Sequence, residues 1–183
     1  MNQTCLMLGA GHSAPRRHFS APSSAKQEDT KWVTLDNNED AKPDTVFDLE
    51  VLETGRHLPW TDETFDEIHA YEVLEHIGRQ GDFKGLFSTF RALWYALKSD
   101  GMLIGSCPSL DSEWLWSDPG HTRVISAGLL SFLTRGHYDQ LGKTPSSDYR
   151  KFIDPCWWEV YQAKDIKLGP GGGIFVFALK KVQ

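Results

Sequence analysis

Four short stretches of this chain could hold a nucleotide, and they follow one another in order. Gly9-Ala10-Gly11 ends the apolar run "CLML". A glycine pair there lets the backbone turn tightly and lets a ligand approach the main chain with no Cβ in the way. Asp36, 25 residues after Gly11, closes "KWVTLD", and a carboxylate at that place can accept hydrogen bonds from both hydroxyls of a ribose. Asp48-Leu49 follows "TVF"; the carboxylate can accept from the exocyclic amine of adenine, and the leucine can flank the ring. "FDEIHAYEVLEHI", residues 65–77, puts Tyr71 and Glu72 where a strand gives way to a helix, at the same crevice. Each stretch also has a structural reading. The glycines can serve the turn alone, Asp36 can start an Asx turn through "DNN", and Asp48 can cap a helix.

Groups that could move a proton lie near these stretches. His76, in "LEHI", either takes a proton or packs and caps. "SDPGHTR" follows the fifth predicted strand, where an acceptor pocket should begin. There Asp118 could orient His121 as a base, or Pro119-Gly120 could simply build a turn. His69 sits mid-strand and is expected to pack against a neighbouring element. Asp118, His121 and His137 match no recognised metal-ligand spacing, so no metal is predicted.

The elements that must position these residues can be read from the pattern. "TCLMLG" is a first strand, apolar throughout and so buried on both faces. Residues 12–30 read as a loop with at most a short helix, because Pro15 and Pro22 interrupt it. "KWVTLD", "DTVFDL" and "FDEIHAYEVL" are the next three strands. Phe83, Leu86, Phe87, Phe90, Leu93, Trp94 and Leu97 form one apolar stripe, which predicts a helix over 82–98 with Asp82 as its cap and Gly101 beyond its end. "MLIGSCP" is a fifth strand. A helix capped by Ser126 is expected near 127–135. "WEVYQAKDIKL" and "IFVFALKK" read as two strands joined at "GPGGG". Strands alternating with crossovers imply a doubly wound α/β sheet.

The totals fit one domain over residues 1–183, with 40% hydrophobic and 24% charged residues. A net charge of −6 argues against general nucleic-acid binding, which rests on neutralising phosphates. Cys5, Cys107 and Cys156 are odd in number and far apart, so a reducing, cytoplasmic setting is expected rather than a disulfide framework. No signal peptide or membrane-spanning run is expected.

The order "LMLGAGHS", "VTLD", "FDLE", "LPWTDETFDEIHAYEVLEHI" and "ALKSDGMLIGSCP" resembles the class I S-adenosylmethionine-dependent methyltransferases, and within them the small bacterial and viral group with an LPF–FDxI–vLEHi signature. The resemblance covers about residues 4–108. It implies a Rossmann-like, three-layer fold around a mostly parallel seven-stranded sheet with a reversed C-terminal strand. It places Gly9, Ala10 and Gly11 against the methionine part of S-adenosylmethionine, Asp36 with Asn37 at the ribose, Asp48 and Leu49 at the adenine, and Tyr71 and Glu72 over the sulfonium end. Two departures stand out. Met7 replaces the acid that often lies two residues before the first glycine, and "LKSDG" replaces "LKPGG".

Such a fold implies methyl transfer to an oxygen or nitrogen, with His121, Asp118 and His76 as the groups able to take a proton. The aromatic-rich stretch 108–158 either walls the acceptor or forms a satellite core, through Trp114, Trp116, Tyr138, Trp157 and Trp158. The first strand begins at once, so an open cleft for a small-molecule or glycan-like acceptor is expected, or a second subunit as lid in a homodimer; no membrane partner is expected. The alternatives are a non-catalytic interaction domain that keeps the fold, and a nicotinamide-binding oxidoreductase. Gly9-x-Gly11-x-x-Ala14 satisfies the dinucleotide spacing, but that site needs a helix N-terminus for the pyrophosphate.

Overall fold

The first strand is apolar on both faces because both faces of it are covered. In the computed structural model, which describes residues 3–18 and 29–182, Cys5 to Leu8 are all buried. This strand, β1 (Gln3–Leu8), is central to a seven-stranded sheet. The others are β2 (Thr30–Asp36), β3 (Thr45–Val46), β4 (Phe65–Tyr71), β5 (Leu97–Pro108), β6 (Trp157–Gly169) and β7 (Gly172–Val182). Their order across the sheet is β3-β2-β1-β4-β5-β7-β6. The pairs β1–β2, β1–β4, β2–β3 and β4–β5 are parallel, and β7 runs antiparallel to both neighbours. The strand order reverses between β1 and β4, which opens a crevice beyond the carboxyl ends.

Strand alternation divides the side chains between two faces. Leu6, Leu8, Ile68, Ala70, Leu103 and Phe177 belong to the main core with α1 (Phe83–Ala96). Asp82 caps α1 by accepting from the amide of Gly85, and Phe87, Phe90, Leu93 and Trp94 are buried along its stripe. α1 stops two residues short of the predicted end. Leu97 leaves the helix and pairs directly with Phe65, so "LKSDG" belongs to β5 rather than to a loop, with Asp100 at φ 63° taking up the register shift before Met102.

The other face carries polar groups that are themselves buried. Glu67 is 1% exposed and accepts from Arg17 Nε at 2.7 Å and from His69 Nε2 at 2.9 Å. Arg17 also reaches Gln3, Cys5 and Thr30, and lies over the ring of Trp32. His69 Nδ1 meets the Tyr71 hydroxyl at 2.7 Å, and Tyr71 stacks on His18. Here the chain of residues 12–18 supplies the outer layer, fastened by charge-assisted bonds rather than by an apolar helix. Burial, with help from the Glu67 carboxylate, pushes the Cys5 thiol up to about 12.

Several expected elements come out shorter. β3 is two residues long, and Asp48 caps a 3-10 turn over Leu49–Thr54. β4 ends at Tyr71, because Glu72 takes φ 56° and a 3-10 turn over Leu74–His76 follows. The helix predicted over 127–135 is split into α3 (Ala127–Ser131), capped by Ser126 as expected, and α4 (Arg135–Tyr138). Before them lies α2 (Trp114–Ser117) and after them α5 (Arg150–Ile153). Part of the predicted 12–30 loop, residues 19–28 with Pro22, falls outside the described residues.

Two outcomes follow. A Cβ at Gly105 would run into the carbonyl of Ala70 and the ring of Phe177. Gly105→Ala is therefore expected to lose roughly 1–3 kcal/mol of stability in urea unfolding, the ordinary cost of overpacking. Burial also holds the pKa of His69 below the ordinary imidazole value, against the opposing pull of Glu67. As pH falls below about 6.5 the unfolded chain takes up a proton that the folded chain refuses, so this stability is complete above that pH and declines below it. His69→Gln should flatten that decline in a plot of urea midpoint against pH.

Candidate functional site

The crevice is built from four strand ends, the first two of them tied by the Asp36 carboxylate. β1 ends at Leu8, and Gly9 (φ 58°) and Gly11 (φ 54°) turn the chain across the end of the sheet. A Cβ on Gly9 would stand 2.5 Å from Cγ2 of Val73, so the approach of the two strand ends itself requires glycine. Asp36, at the end of β2, is 9% exposed. Its Oδ2 accepts from the amide of Gly11 and its Oδ1 from the amide of Asn38, each at 2.8 Å. The Asx turn and the ribose-binding place are thus the same residue, and each carboxylate oxygen keeps a second lone pair.

Asp48 likewise combines both readings. Its Oδ1 accepts from the amide of Glu50 at 3.0 Å as a cap, while its side chain lines the crevice. Glu72 is held by two bonds to Ser106, one from its amide to the Ser106 carbonyl and one from the Ser106 hydroxyl to its carboxylate at 2.6 Å.

The result is a cavity of about 350 Å³ lined by Gly9, Asp36, Asn37, Asp48, Leu49, Glu72 and His76, with Leu35, Phe47 and Val73 among its apolar walls. Six residues predicted to hold the cofactor share this one cavity. Ala10 and Gly11 form the turn at its edge, Ala10 donating to the Leu35 carbonyl. Tyr71 is placed differently. Its ring stacks on His18 and its hydroxyl bonds His69, so it fastens the loop on the opposite sheet face.

A second cavity, of about 380 Å³, adjoins the first at Glu72. Trp114, Leu168 and Ile174 give it apolar walls, and Glu113 and Ser112 lie beside them. Trp114 and Trp116 are exposed, whereas Tyr138, Trp157 and Trp158 are buried in the core. The aromatic stretch therefore divides. Trp157 and Trp158 begin β6 and join the main core rather than a satellite one, with the Trp94 indole donating to the Trp157 carbonyl.

Asp118 and His121 lie together, but Asp118 Oδ2 is 3.9 Å from His121 Nε2, beyond hydrogen-bond reach. The imidazole is oriented instead through Nδ1 to the Leu115 carbonyl. His76 Nδ1 meets the Gly120 carbonyl at 3.1 Å. His137 makes its bonds to Ser131 and Ser146. Sequence reading missed Glu75, which is fully buried behind His76. Burial pushes its carboxyl up to about 7, and the neighbouring Glu72 carboxylate pushes the same way. Its signal was present as Glu72-x-x-Glu75-His76, but a glutamate four residues past a strand end reads as solvated surface.

No family model matches the sequence, and neither does any curated protein. Solved structures do match the fold. A SAM-dependent methyltransferase from Archaeoglobus fulgidus is similar with a TM-score of 0.55 at 13% identity, over 98% of this chain and 86% of that one. The N-methyltransferase NodS from Bradyrhizobium japonicum WM9, in complex with S-adenosyl-L-homocysteine, is similar with a TM-score of 0.58 at 9% identity, over 99% of this chain and 79% of that one. The 1,6-didemethyltoxoflavin-N1-methyltransferase of Burkholderia thailandensis gives 0.57 at 11% identity, over 99% and 72%. At these identities the likeness establishes the fold, a Rossmann-like α/β sheet with a reversed C-terminal strand.

Proposed function

We propose that this chain transfers a methyl group from S-adenosylmethionine to an oxygen or nitrogen of a small-molecule or glycan-like acceptor. One observation supports the reading: Gly9, Asp36, Asn37, Asp48, Leu49 and Glu72, drawn from the ends of four adjacent strands, line a single crevice. The chemistry of the residues fits such a ligand. Asp36 is fixed by two backbone amides and can accept from two vicinal hydroxyls. Asp48 offers its second carboxylate oxygen to an amine, and Phe47 and Leu49 give a flat ring apolar neighbours. The glycine turn leaves main-chain groups open to a polar tail. Glu72 puts a negative charge where a sulfonium would sit.

The bound cofactor supplies an activated methyl on a good leaving group. The protein's task is then alignment, which can contribute roughly 7–11 kcal/mol when the reacting atoms are held at near-attack distance. The neighbouring cavity with Trp114, Leu168 and Ile174 supports a partly apolar acceptor that approaches across Glu72. A dinucleotide is disfavoured because no helix begins between Gly11 and His18, so no helix N-terminus faces the crevice there to hold a pyrophosphate.

Calorimetric titration tests this reading. S-adenosylhomocysteine should bind with one-to-one stoichiometry and NAD should not. Asp36→Ala and Asp48→Ala, checked by circular dichroism for folding, should each weaken binding at least tenfold, a loss of about 1.4 kcal/mol. Binding of NAD alone, or unchanged affinity in both variants, contradicts it.

A further inference from the structure

The 3-10 turn at Leu74–His76 drives Glu75 into the protein, where it is 0% exposed. Neither of its carboxylate oxygens has a hydrogen-bond partner among the described residues; the Cys107 thiol and the Glu72 carboxyl lie beside it. A buried carboxylate flanked by a thiol and a second carboxyl is costly to keep ionised, and a cation beside it would offset that cost. What faces it is a pair of imidazoles. His121 Nε2 is 4.0 Å from Glu75 Oε1, and the His76 and His121 rings lie edge to face with centroids 4.7 Å apart. Ligand atoms of Glu75, His76 and His121 all fall within 4.8 Å of one another.

The orientation of the imidazoles is specific. Carbonyl oxygens only accept, so the contacts of His76 Nδ1 with Gly120 and of His121 Nδ1 with Leu115 place a proton on each Nδ1. In the neutral imidazole each Nε2 then carries the lone pair. Histidines whose second nitrogen donates to a carbonyl are held as metal ligands are held. The backbone locks the two halves together. The amides of Thr122 and Arg123 both donate to the Glu75 carbonyl, at 2.9 and 3.1 Å. A Cβ at Gly120 would stand 3.0 Å from His76 Nδ1, so the loop packs tightly against the imidazole.

We propose that Glu75, His76 and His121 bind a divalent first-row metal ion at the edge of the crevice, with Asp118 beside them as a proton acceptor. Two imidazoles with carboxylates suit zinc, manganese, cobalt or iron better than magnesium or calcium. Asp118 Oδ2 stands 3.9 Å from His121 Nε2, beside the set, where it can accept a proton. His76 also lines the cofactor crevice, so the ion would stand at the crevice wall, where an acceptor oxygen entering the crevice can meet it. That role rests on the proposed methyl transfer. The acceptor hydroxyl, polarised by the ion, loses its proton to the Asp118 carboxylate and from there to water. Its oxygen lone pair forms the new bond to the methyl carbon as the carbon–sulfur bond breaks, with that bond's electron pair left on sulfur. The acceptor class is thus a hydroxyl compound able to coordinate a metal.

Metal binding can be measured without any cofactor. The chain is stripped with a chelator and titrated with Co²⁺, followed by d–d absorption, and then with Zn²⁺ and Mn²⁺ by calorimetry. One equivalent is expected to bind, with Mg²⁺ a poor competitor. His76→Ala and His121→Ala should each weaken binding at least tenfold, while His57→Ala, at an exposed histidine, leaves it unchanged; thermal melts verify that each variant folds. His76 is itself exposed, so its replacement keeps the test open if His121→Ala does not fold. No stoichiometric binding, or equal affinity in the His76→Ala and wild-type chains, overturns the site whatever S-adenosylhomocysteine does. One metal equivalent in a chain that fails to bind S-adenosylhomocysteine upholds the site and overturns the methyl-transfer reading.

Discussion

The two bonds that Asp36 accepts from the amides of Gly11 and Asn38 hold the ends of β1 and β2 at fixed positions. A parallel sheet ordinarily sets its strand ends through long crossover helices packed on its faces. Here the link after β2 is a short 3-10 turn over Glu39–Ala41, and the link after β3 is another over Leu49–Thr54. The strand ends must be fixed locally. Asp36 joins the first two, the close contact of Gly9 with Val73 sets the distance from the first to the fourth, and the Ser106–Glu72 pair joins the fourth to the fifth. The residues that give the crevice its chemistry are the same ones that give it its shape.

The opposite face shows the same economy of helix. Arg17, Glu67, His69 and Tyr71 form a buried chain of charge-assisted bonds beneath residues 12–18. Such a cluster contributes little net stability when complete, because desolvation opposes the attraction. Removal of one member leaves a buried charge unpaired, which costs about 3–5 kcal/mol. Its effect is to specify where the loop lies. A second buried pair, Arg123 with Glu53 at 2.7 Å, ties the segment after His121 to the turn that follows Asp48. Both sides of the crevice are therefore fastened by arginines that reach across the fold.

The sheet was legible because its strands are apolar where they are buried and end in residues that rarely sit inside strands. The order Gly9, Asp36, Asp48, Glu72 and the cap at Asp82 could be read directly. The misreadings have identifiable causes. Leu97 continues the apolar stripe of α1, yet its pairing with Phe65 takes it into β5. Tyr71 stands at a strand end, but the pleat turns it to the far face, where His69 and His18 hold it. Glu75 reads as solvated surface despite its place in Glu72-x-x-Glu75-His76, since its burial depends on a turn that only tertiary contacts impose. The split between exposed Trp114 and buried Trp157 depends on which of them enters a strand.

The central claim is that this crevice, and not another cavity, receives the methyl donor. Backbone amide resonances of an ¹⁵N-labelled chain, followed while S-adenosylhomocysteine is added, test it most directly. The account predicts that the largest shifts fall at Gly9, Gly11, Asn37, Leu49 and Val73, with Phe83 and Phe132, which line a separate cavity beside α1 with Leu86 and Tyr149, unmoved. Shifts concentrated around Phe83, Phe132 and Tyr149, or none at saturating ligand, would contradict it.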